Sequence, residues 1–270
     1  MKTIALLIIA GFILATSAIA QEEKETKNDT TKIKLGNTTV LFIGPDSKDV
    51  ELVAENEDDK EKFDGHWAGI DIGLNTYLND NYTSVLNYDD RYLELNTGKS
   101  WGVGVNLLEK SIAFCSNKFG LVTGLGFTFN NYRFNQNVVL MPDSAKLYAV
   151  DGLVDFEKNK LVVTYLTVPL IFEYQISTGK KDRRIHISAG GIGGLKIGSH
   201  TKYVYKSGDQ RHKDKINEDF HLSPFTYGAT LRIGYRGLNL FANYNISTLF
   251  ENNEGPELYP LTIGLSVVNF

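Results

Sequence analysis

The chain has 270 residues, 42% of them hydrophobic, which is enough for one large domain. Its formal net charge of −4 argues against a nucleic-acid binder, since such proteins carry an excess of basic residues. The single cysteine, Cys115, excludes an internal disulfide framework. No internal apolar run is long enough to predict a transmembrane helix.

The first twenty residues have the layout of a secretory signal. Lys2 supplies a positive start, Ile4–Leu14 form an apolar run, and Ala18-Ile19-Ala20 are the small residues of a cleavage site. This order predicts a cleaved Sec-type signal peptide over residues 1–20 and therefore export. No cysteine follows the cleavage site, so a lipid-anchored lipoprotein is not expected.

Residues 21–64 are polar and acidic. We interpret them as a periplasmic N-terminal extension that is partly disordered, because residues 21–31 lack apolar side chains to bury. Residues 32–43 alternate around the turn pair Gly36-Asn37, which predicts a small hairpin. The alternative for 21–64 is a plug inside the domain that follows.

From His66 onward the chain repeats one pattern, in which apolar side chains alternate with polar or very small ones. Successive side chains of a strand point to opposite faces, so each stretch predicts a strand with one apolar face. Most of them reach the roughly 9–11 residues that a tilted strand needs to cross a bilayer. The predicted strands are 66–75, about 91–112, about 118–133, 161–175, 185–198, about 222–235, about 238–248 and about 257–269.

The connections between these strands alternate in length. Those after strands 2, 4 and 6 are short, whereas those after strands 1, 3, 5 and 7 are generally longer. Short turns at one end and long loops at the other are the layout of outer-membrane barrels. Aromatic residues at strand ends suit the interfacial girdles of such barrels; they are Trp67, Trp101, Tyr132, Tyr174, Tyr235 and Tyr259.

The sequence therefore predicts an all-β fold over residues 65–270. We expect an eight-stranded antiparallel up-and-down transmembrane β-barrel, with short periplasmic turns and longer extracellular loops. The sheet must close, because an open edge in lipid leaves backbone groups unpaired. Eight strands leave a bore that side chains fill, so a wide aqueous pore is not expected.

Several charged residues fall on the inward face of the predicted strands. Buried charges are tolerated when they are paired and hydrogen-bonded, so we interpret these as a paired network that fills the lumen. A proton or ion path, or a catalytic group, is the alternative. The residues are Asp71, Glu173, Arg184, His186, Lys196 and Arg232.

Motifs for metal or phosphate chemistry are weak. His66, His186, His200, His212 and His221 show no metal-ligand spacing, and we predict no metal site and no cofactor. The glycine run at 190–194 resembles a phosphate loop but lacks its GK[ST] ending, so close strand packing is the preferred interpretation.

A lipid-modifying enzyme would need a nucleophile and a base near the membrane surface. Ser100 and His66 are the candidates, but they fall near opposite ends of adjacent strands. Cys115 has no histidine or second cysteine near it in sequence, so a reactive thiol is not favoured. The charged stretch 199–221 is expected to be a solvated external loop, and contact with lipopolysaccharide phosphates is its alternative role.

The assembled strand and turn signatures resemble the PorT-like outer-membrane β-barrel proteins of Bacteroidetes-type bacteria, over about residues 66–270. The stretches that carry the resemblance are HWAGIDIGLN (66–75), KSWGVGVNL (99–107), GLVTGLGFTFNNYRF (120–134), YLTVPLIFEYQ (165–175), ISAGGIGGLKIGSHTKY (187–203), YNISTLFENNEGPELYPLTIGLSV (244–267) and the terminal Phe270.

The resemblance implies a cofactor-free barrel that the outer-membrane assembly machinery inserts, and its namesake is tied to a secretion system. Phe270 differs in parity from the apolar face of Leu261–Val267, which departs from the usual signal of a last strand. Asp29-Thr30-Thr31 and Asp143-Ser144-Ala145 look like the O-glycosylation motif of such bacteria.

We thus expect a non-enzymatic outer-membrane barrel with a structural, binding or secretion-accessory role. Its expected partners are outer-membrane lipid, lipopolysaccharide and the assembly machinery, with no nucleic acid, and the sequence names no protein partner. Two alternatives stay open: an outer-membrane lipid-modifying enzyme, and a soluble periplasmic ligand-binding barrel of lipocalin type, which would need polar outer faces and an apolar interior.

Overall fold

The computed structural model describes residues 30–35, 38–43, 50–51, 63–114, 118–142, 145–178 and 184–268. The chain divides into two compact units, Met1–Lys60 and Glu61–Phe270. The first contains an antiparallel sheet of β1 (Thr30–Leu35), β2 (Thr38–Ile43) and β3 (Val50–Glu51). The alternation around Gly36-Asn37 predicts the β1–β2 pairing. The proposed signal peptide lies outside the described residues.

The second unit is built almost entirely from strands, because the alternating pattern continues through it. Two short 3-10 helices, Tyr88–Leu93 and Thr97–Lys99, lie between its first two strands. The strands are β4 (Gly69–Leu78), β5 (Trp101–Ala113), β6 (Phe119–Arg133), β7 (Val138–Met141), β8 (Tyr148–Asp151), β9 (Phe156–Ser177), β10 (Arg184–Ser207), β11 (Gln210–Ile216), β12 (Phe225–Tyr235), β13 (Leu238–Asn245) and β14 (Tyr259–Val268).

Eight of these strands close into a ring in the order β4-β5-β6-β9-β10-β12-β13-β14. The last strand returns to the first, with a register from Tyr259↔Leu78 to Val268↔Gly69. All neighbouring pairs in the ring are antiparallel. Because a closed ring pairs every strand on both sides, it has no open edge. The predicted eight-stranded antiparallel barrel is confirmed.

The two faces of the barrel wall differ sharply in polarity. On the outside, apolar side chains such as Ile72, Leu170 and Leu240 are about half exposed. On the inside, Asp71 and Asn239 are buried. An apolar exterior around a polar interior is the arrangement of a barrel that faces lipid. It contradicts the lipocalin-type alternative, which needs the reverse.

At one end few residues separate consecutive strands, as predicted: those between Ala113 and Phe119, between Ser177 and Arg184, and between Tyr235 and Leu238. We call this the short-turn end and the opposite one the loop end. Within the described residues no helix has the length and apolar character needed to cross a bilayer.

Two predicted boundaries at the loop end are wrong. The second strand begins at Trp101 rather than near 91, because the two 3-10 helices occupy the residues before it. The stretch 199–221 is not simply a loop, since β10 continues to Ser207 and turns at Gly208 (φ 62°) into β11. Strands beyond the bilayer are not limited by its thickness, so polar sequence can extend them.

An apolar core fills the inside of the loop end. Its buried members come from the tips of strands and from the long connections; they are Tyr77, Leu86, Leu93, Tyr132, Phe134, Leu140, Leu147, Leu161, Val163, Tyr165, Phe220, Leu222, Leu249, Phe250 and Leu258. The interpretation of Tyr132 as a girdle residue is therefore wrong, because its ring faces this core. Trp101, Tyr174 and Tyr235 do face outward, as expected.

Replacing outward-facing Leu170 with Arg tests the placement of the lipid-facing surface. Leu170 lies near the middle of the apolar stretch of β9, so Leu170→Arg should lower the free energy of unfolding by about 2–4 kcal/mol. Urea unfolding in phospholipid vesicles, followed by heat-modifiable gel mobility, measures the change. Leu153→Arg is the control, since Leu153 is fully exposed in a connection; equal losses in both variants would contradict the placement.

Candidate functional site

The centre of the lumen holds a buried ion pair that joins opposite parts of the wall. Arg232 of β12 contacts Asp71 of β4 through Nη2–Oδ2 at 2.6 Å and Nη1–Oδ1 at 3.3 Å. Asn106 Nδ2 donates to Asp71 Oδ2 at 3.1 Å. Both charged side chains are almost fully buried. The bidentate geometry and the extra donor offset the cost of removing both charges from water.

A second cluster surrounds the carboxylate of Glu173 on β9. Its Oε1 accepts from Gln175 Nε2 at 2.7 Å, and its Oε2 accepts from Ser188 Oγ at 2.9 Å. His66 Nδ1 lies 2.7 Å from Oε1. Arg184 Nη1 in turn donates to Gln175 Oε1 at 2.7 Å. Glu173 is therefore held by three partners from three segments, which fixes the segment before β4 against the wall.

The segment Phe63–Ala68, which we call the lumenal segment, enters the barrel at the short-turn end. The backbone N–H groups of Trp67 and Ala68 both donate to Glu109 Oε2, at 2.7 and 2.8 Å. The Arg232 guanidinium lies 4.4 Å from the centre of the Trp67 ring. The His66 ring stacks on His186 with centroids 3.7 Å apart. These contacts hold the lumenal segment inside the barrel at the short-turn end.

The wall is shaped to receive the lumenal segment. An apolar cluster at this end consists of Phe63, Trp67, Val122 and Ile171. A Cβ at Gly120 would lie 2.4 Å from Phe63 Cε1, and one at Gly124 would lie 2.9 Å from Trp67 Cδ1. Glycine at these two inward positions of β6 makes room for the aromatic rings.

Sequence reasoning misplaced this segment in two ways. It ended the N-terminal extension at residue 64, yet Phe63 is buried in the barrel unit and the Asp64 carbonyl accepts from Gln175 Nε2. It also made Trp67 a girdle residue, although its ring is buried in the lumen. The sequence signal that could have revealed the burial of Phe63 is the presence of an aromatic residue close after an acidic run.

Five of the six charged residues predicted to face inward lie between the short-turn end and the middle of the lumen, and the sixth does not. Lys196 is bound at the loop end, where its Nζ donates to Asp219 Oδ1 and to the carbonyl of Leu222. The interpretation as a paired network therefore applies to Asp71, Glu173, Arg184, His186 and Arg232.

The histidines do not form a single cluster. His66 and His186 lie in the lumen, whereas His212 stacks on Tyr205 and His221 Nδ1 lies 2.7 Å from Glu254 Oε2. In the described ranges, no three or more His, Cys, Asp or Glu side chains gather in a way that would hold a metal ion.

The structure separates the residues of the enzyme alternative. Ser100 is buried near the loop end, where its Oγ donates to the Asn96 carbonyl and accepts from Arg133 N–H, both at 2.9 Å. His66 lies at the opposite end, on Glu173. Their hydrogen bonds are made with different partners, so they form no nucleophile–base pair.

The glycine run belongs to the wall of the barrel. The glycine run at 190–194 lies inside β10 and pairs with β9 and β12, which fits strand packing. A Cβ at Gly190 would lie 2.2 Å from the Leu170 carbonyl oxygen. Cys115, Asp29, Asp143-Ser144 and Phe270 lie outside the described residues.

The Arg232–Asp71 pair should be a major contributor to barrel stability. Arg232→Met leaves a buried carboxylate without its partner, so the free energy of unfolding should fall by about 3–5 kcal/mol. Asp71→Asn combined with Arg232→Met should recover part of this loss. Urea unfolding in vesicles is the measurement. Lys206→Met is the control, because the exposed Lys206–Glu157 pair (3.3 Å) should contribute less than about 1 kcal/mol.

Comparison with known protein families identifies the family of this chain. The model of the family described as "Outer membrane protein beta-barrel domain" matches residues 68–251. No curated protein matches the chain. Among solved structures, it is similar to the crystal structure of Ail, the attachment invasion locus protein of Yersinia pestis, in complex with the heparin analogue sucrose octasulfate. The identity is 16%, 74% of this chain and 95% of that chain are covered, and the TM-score is 0.31. The family match covers more than half of the chain, and the chain belongs to the outer-membrane β-barrel family.

Proposed function

We propose that this outer-membrane barrel is a closed, non-enzymatic scaffold of PorT-like type that acts through its external surface. The observation that carries the proposal is the filled lumen. The lumenal segment, the polar network and the apolar core occupy it one after another from the short-turn end to the loop end. A barrel without an open path contributes binding or support rather than conduction.

The surroundings of two serine hydroxyl groups support the proposal that the barrel is not an enzyme. Ser188 Oγ donates to Glu173, which also binds His66, but Ser188 is buried inside the wall. Ser100 Oγ is held by backbone groups at the loop end. An attacking hydroxyl needs both an adjacent base and access to substrate, and neither serine combines the two.

The further parts of the proposal come from the sequence. They are export by a signal peptide at residues 1–20, insertion by the barrel assembly machinery, and a binding or secretion-accessory role at the loop end. The ordered loop end supports the last part, because a rigid scaffold that carries surface segments is a common basis for binding. Lipopolysaccharide is the proposed lipid partner at this end.

Thiol accessibility tests the closed lumen. In a Cys115→Ser background, Ser188→Cys should resist a membrane-impermeant maleimide in the folded protein and react after urea unfolding, because Ser188 is buried. Ser207→Cys, exposed at the end of β10, should react in both states and serves as the control. Rapid labelling of Ser188→Cys in the folded barrel would overturn the closed-lumen proposal.

The same preparation, incubated with phospholipid and lipid A, should leave both lipids unchanged, and turnover would overturn the non-enzymatic part.

A further inference from the structure

A row of basic residues runs across four neighbouring strands at the loop end. Arg133 of β6 is paired in register with Lys160 of β9, Lys160 with Lys202 of β10, and Lys202 with Lys215 of β11. Residues paired in this way carry Cβ atoms about 4.5–5.5 Å apart on the same face. A second row of paired residues, on β9, β10 and β11, continues the pattern.

In the second row, Lys158 pairs with Val204 and Val204 with Lys213. We call the six cations of both rows the basic ladder: Arg133, Lys158, Lys160, Lys202, Lys213 and Lys215. Their alignment follows from strand register, since the bulge between Lys196 and Gly198 on β10 sets the parity of the strand beyond it. Without that bulge, Lys202 would point inward.

The basic ladder lies on the outer face of the wall. Leu161, Thr201 and Tyr203 alternate with Lys160 and Lys202 along the same strands, and they are buried on the inside. Arg133 follows Tyr132, whose ring is also in the apolar core. The ladder therefore faces away from the barrel interior.

The ladder stands just above the lipid-facing band. On β6 the last large apolar residue that faces outward is Phe129, four positions before Arg133. At about 3.3 Å per residue and a tilt of about 40°, this separation corresponds to about 10 Å of height. Lys160 Nζ donates to Asn131 Oδ1, so it reaches back toward the bilayer. This is the depth of lipid headgroups.

Within the part of the chain that the structure describes, salt bridges do not offset the charge of the ladder. Among the described residues, none of the six forms an ion pair with a carboxylate. The nearby acid Glu157 instead binds Lys206 and Arg211, at 3.3 and 3.0 Å. Like charges placed opposite one another in a sheet are destabilising, so an anion on this face would relieve the repulsion. The concentration of positive charge in the ladder contrasts with the formal net charge of −4 for the whole chain.

Burial and the neighbouring cations both shift the pKa of Lys160. Desolvation, followed by the charges of Lys158, Lys202 and Arg133, lowers the pKa of Lys160 to about 8. Desolvation and the charges of Lys215, Lys160 and Lys202 lower the pKa of His200 on the same face. The like charges thus add to desolvation in disfavouring the charged form of Lys160, and a bound anion would offset their repulsion.

A polar cavity opens beside the Arg133 end of the ladder. Its volume is about 160 Å³, and its lining includes Arg133, Lys99, Asn96, Asn135 and Asn137. A cation pair with amide side chains suits a group that combines phosphate oxygens with hydroxyls.

We propose that the basic ladder binds the phosphate groups of the phosphorylated glycolipid of the outer leaflet, the lipid A part of lipopolysaccharide. The acyl chains would lie against the apolar band of β6, β9 and β10 while the phosphates meet the cations above it. Lysines can also protect an edge strand such as β11 from pairing with another chain. This explanation is weaker here, because Arg133 and Lys160 lie on β6 and β9, which are paired on both sides. The inference rests on the proposed role of this surface in binding.

Native mass spectrometry of the full-length protein in detergent, titrated with bis-phosphorylated lipid A, tests the site. Lys160→Gln/Lys202→Gln should weaken binding by about tenfold or more, because each removes a charge-assisted contact to phosphate. Lys110→Gln/Lys118→Gln is the matched control: it removes the same charge nearer the short-turn end and should leave affinity unchanged. Heat-modifiable gel mobility and protected Ser188→Cys verify that every variant remains a closed barrel.

Two further probes distinguish the sources of phosphate. Dephosphorylated lipid A should bind at least about tenfold more weakly than the phosphorylated form, and inorganic phosphate should not compete at the same concentration. Equal binding of both lipids, unchanged affinity of the ladder variant, or binding of inorganic phosphate alone would each overturn the inference. Labelling of Ser188→Cys in the folded protein would instead contradict the closed scaffold, so the two failures are distinguishable.

Affinity should fall as pH rises from 7.5 to 9.5. Bound phosphate raises the pKa of Lys160 above its free value of about 8, so binding takes up a proton in this window and is disfavoured as protons become scarce. The groups that face Lys160 are Arg133 on β6, Lys158 on β9, His200 and Lys202 on β10, and Lys215 on β11. Lys160→Arg should bind with little change over this range, because arginine stays charged; the same pH dependence in this variant would overturn the role of Lys160.

Discussion

The pairing of β14 with β4 is the interaction on which the rest of the structure depends. In hydrocarbon an unpaired backbone N–H or carbonyl costs several kcal/mol, so a sheet that spans a bilayer must close. Closure with eight strands gives a narrow lumen, which inward-facing side chains and the lumenal segment occupy. The apolar exterior and the narrow lumen both follow from this geometry.

A narrow polar lumen poses its own problem, because charges placed there lose their hydration. Pairing and hydrogen bonds inside the lumen compensate for the lost hydration. Arg232 and Asp71 form a bidentate pair across the lumen, and Glu173 accepts from several donors at once. The lumenal segment brings Trp67 under the Arg232 guanidinium, so an apolar ring also contributes to holding the charge.

Above the bilayer the same strands change their role. β9 and β10 extend to 22 and 24 residues, well beyond what a membrane crossing needs. Their inner faces become apolar and close over a core, whereas their outer faces become basic. This inversion of polarity along single strands marks the end of the lipid-facing band, and the cationic surface that we propose as a lipid site lies just beyond it. The structural scaffold and the proposed lipid site are thus two consequences of one hairpin.

The sequence alone determined the fold class, the number of strands, the short-turn end and the parity of most wall residues. It could do so because a two-residue period and bilayer thickness are local constraints that each strand carries by itself. The lipid-facing residues of β9 and the inward positions of Asp71 and Arg232 were predictable for this reason.

Only the tertiary structure decided which residues meet. The Arg232–Asp71 pair joins positions 161 residues apart, and the entry of Phe63 and Trp67 into the lumen depends on glycines of a different strand. Tyr132 faces the core and not a girdle because the loops fold over it. The basic ladder needs the register of four strands and a bulge on β10. Register and bulges are set by pairing between distant segments, and no local pattern encodes them.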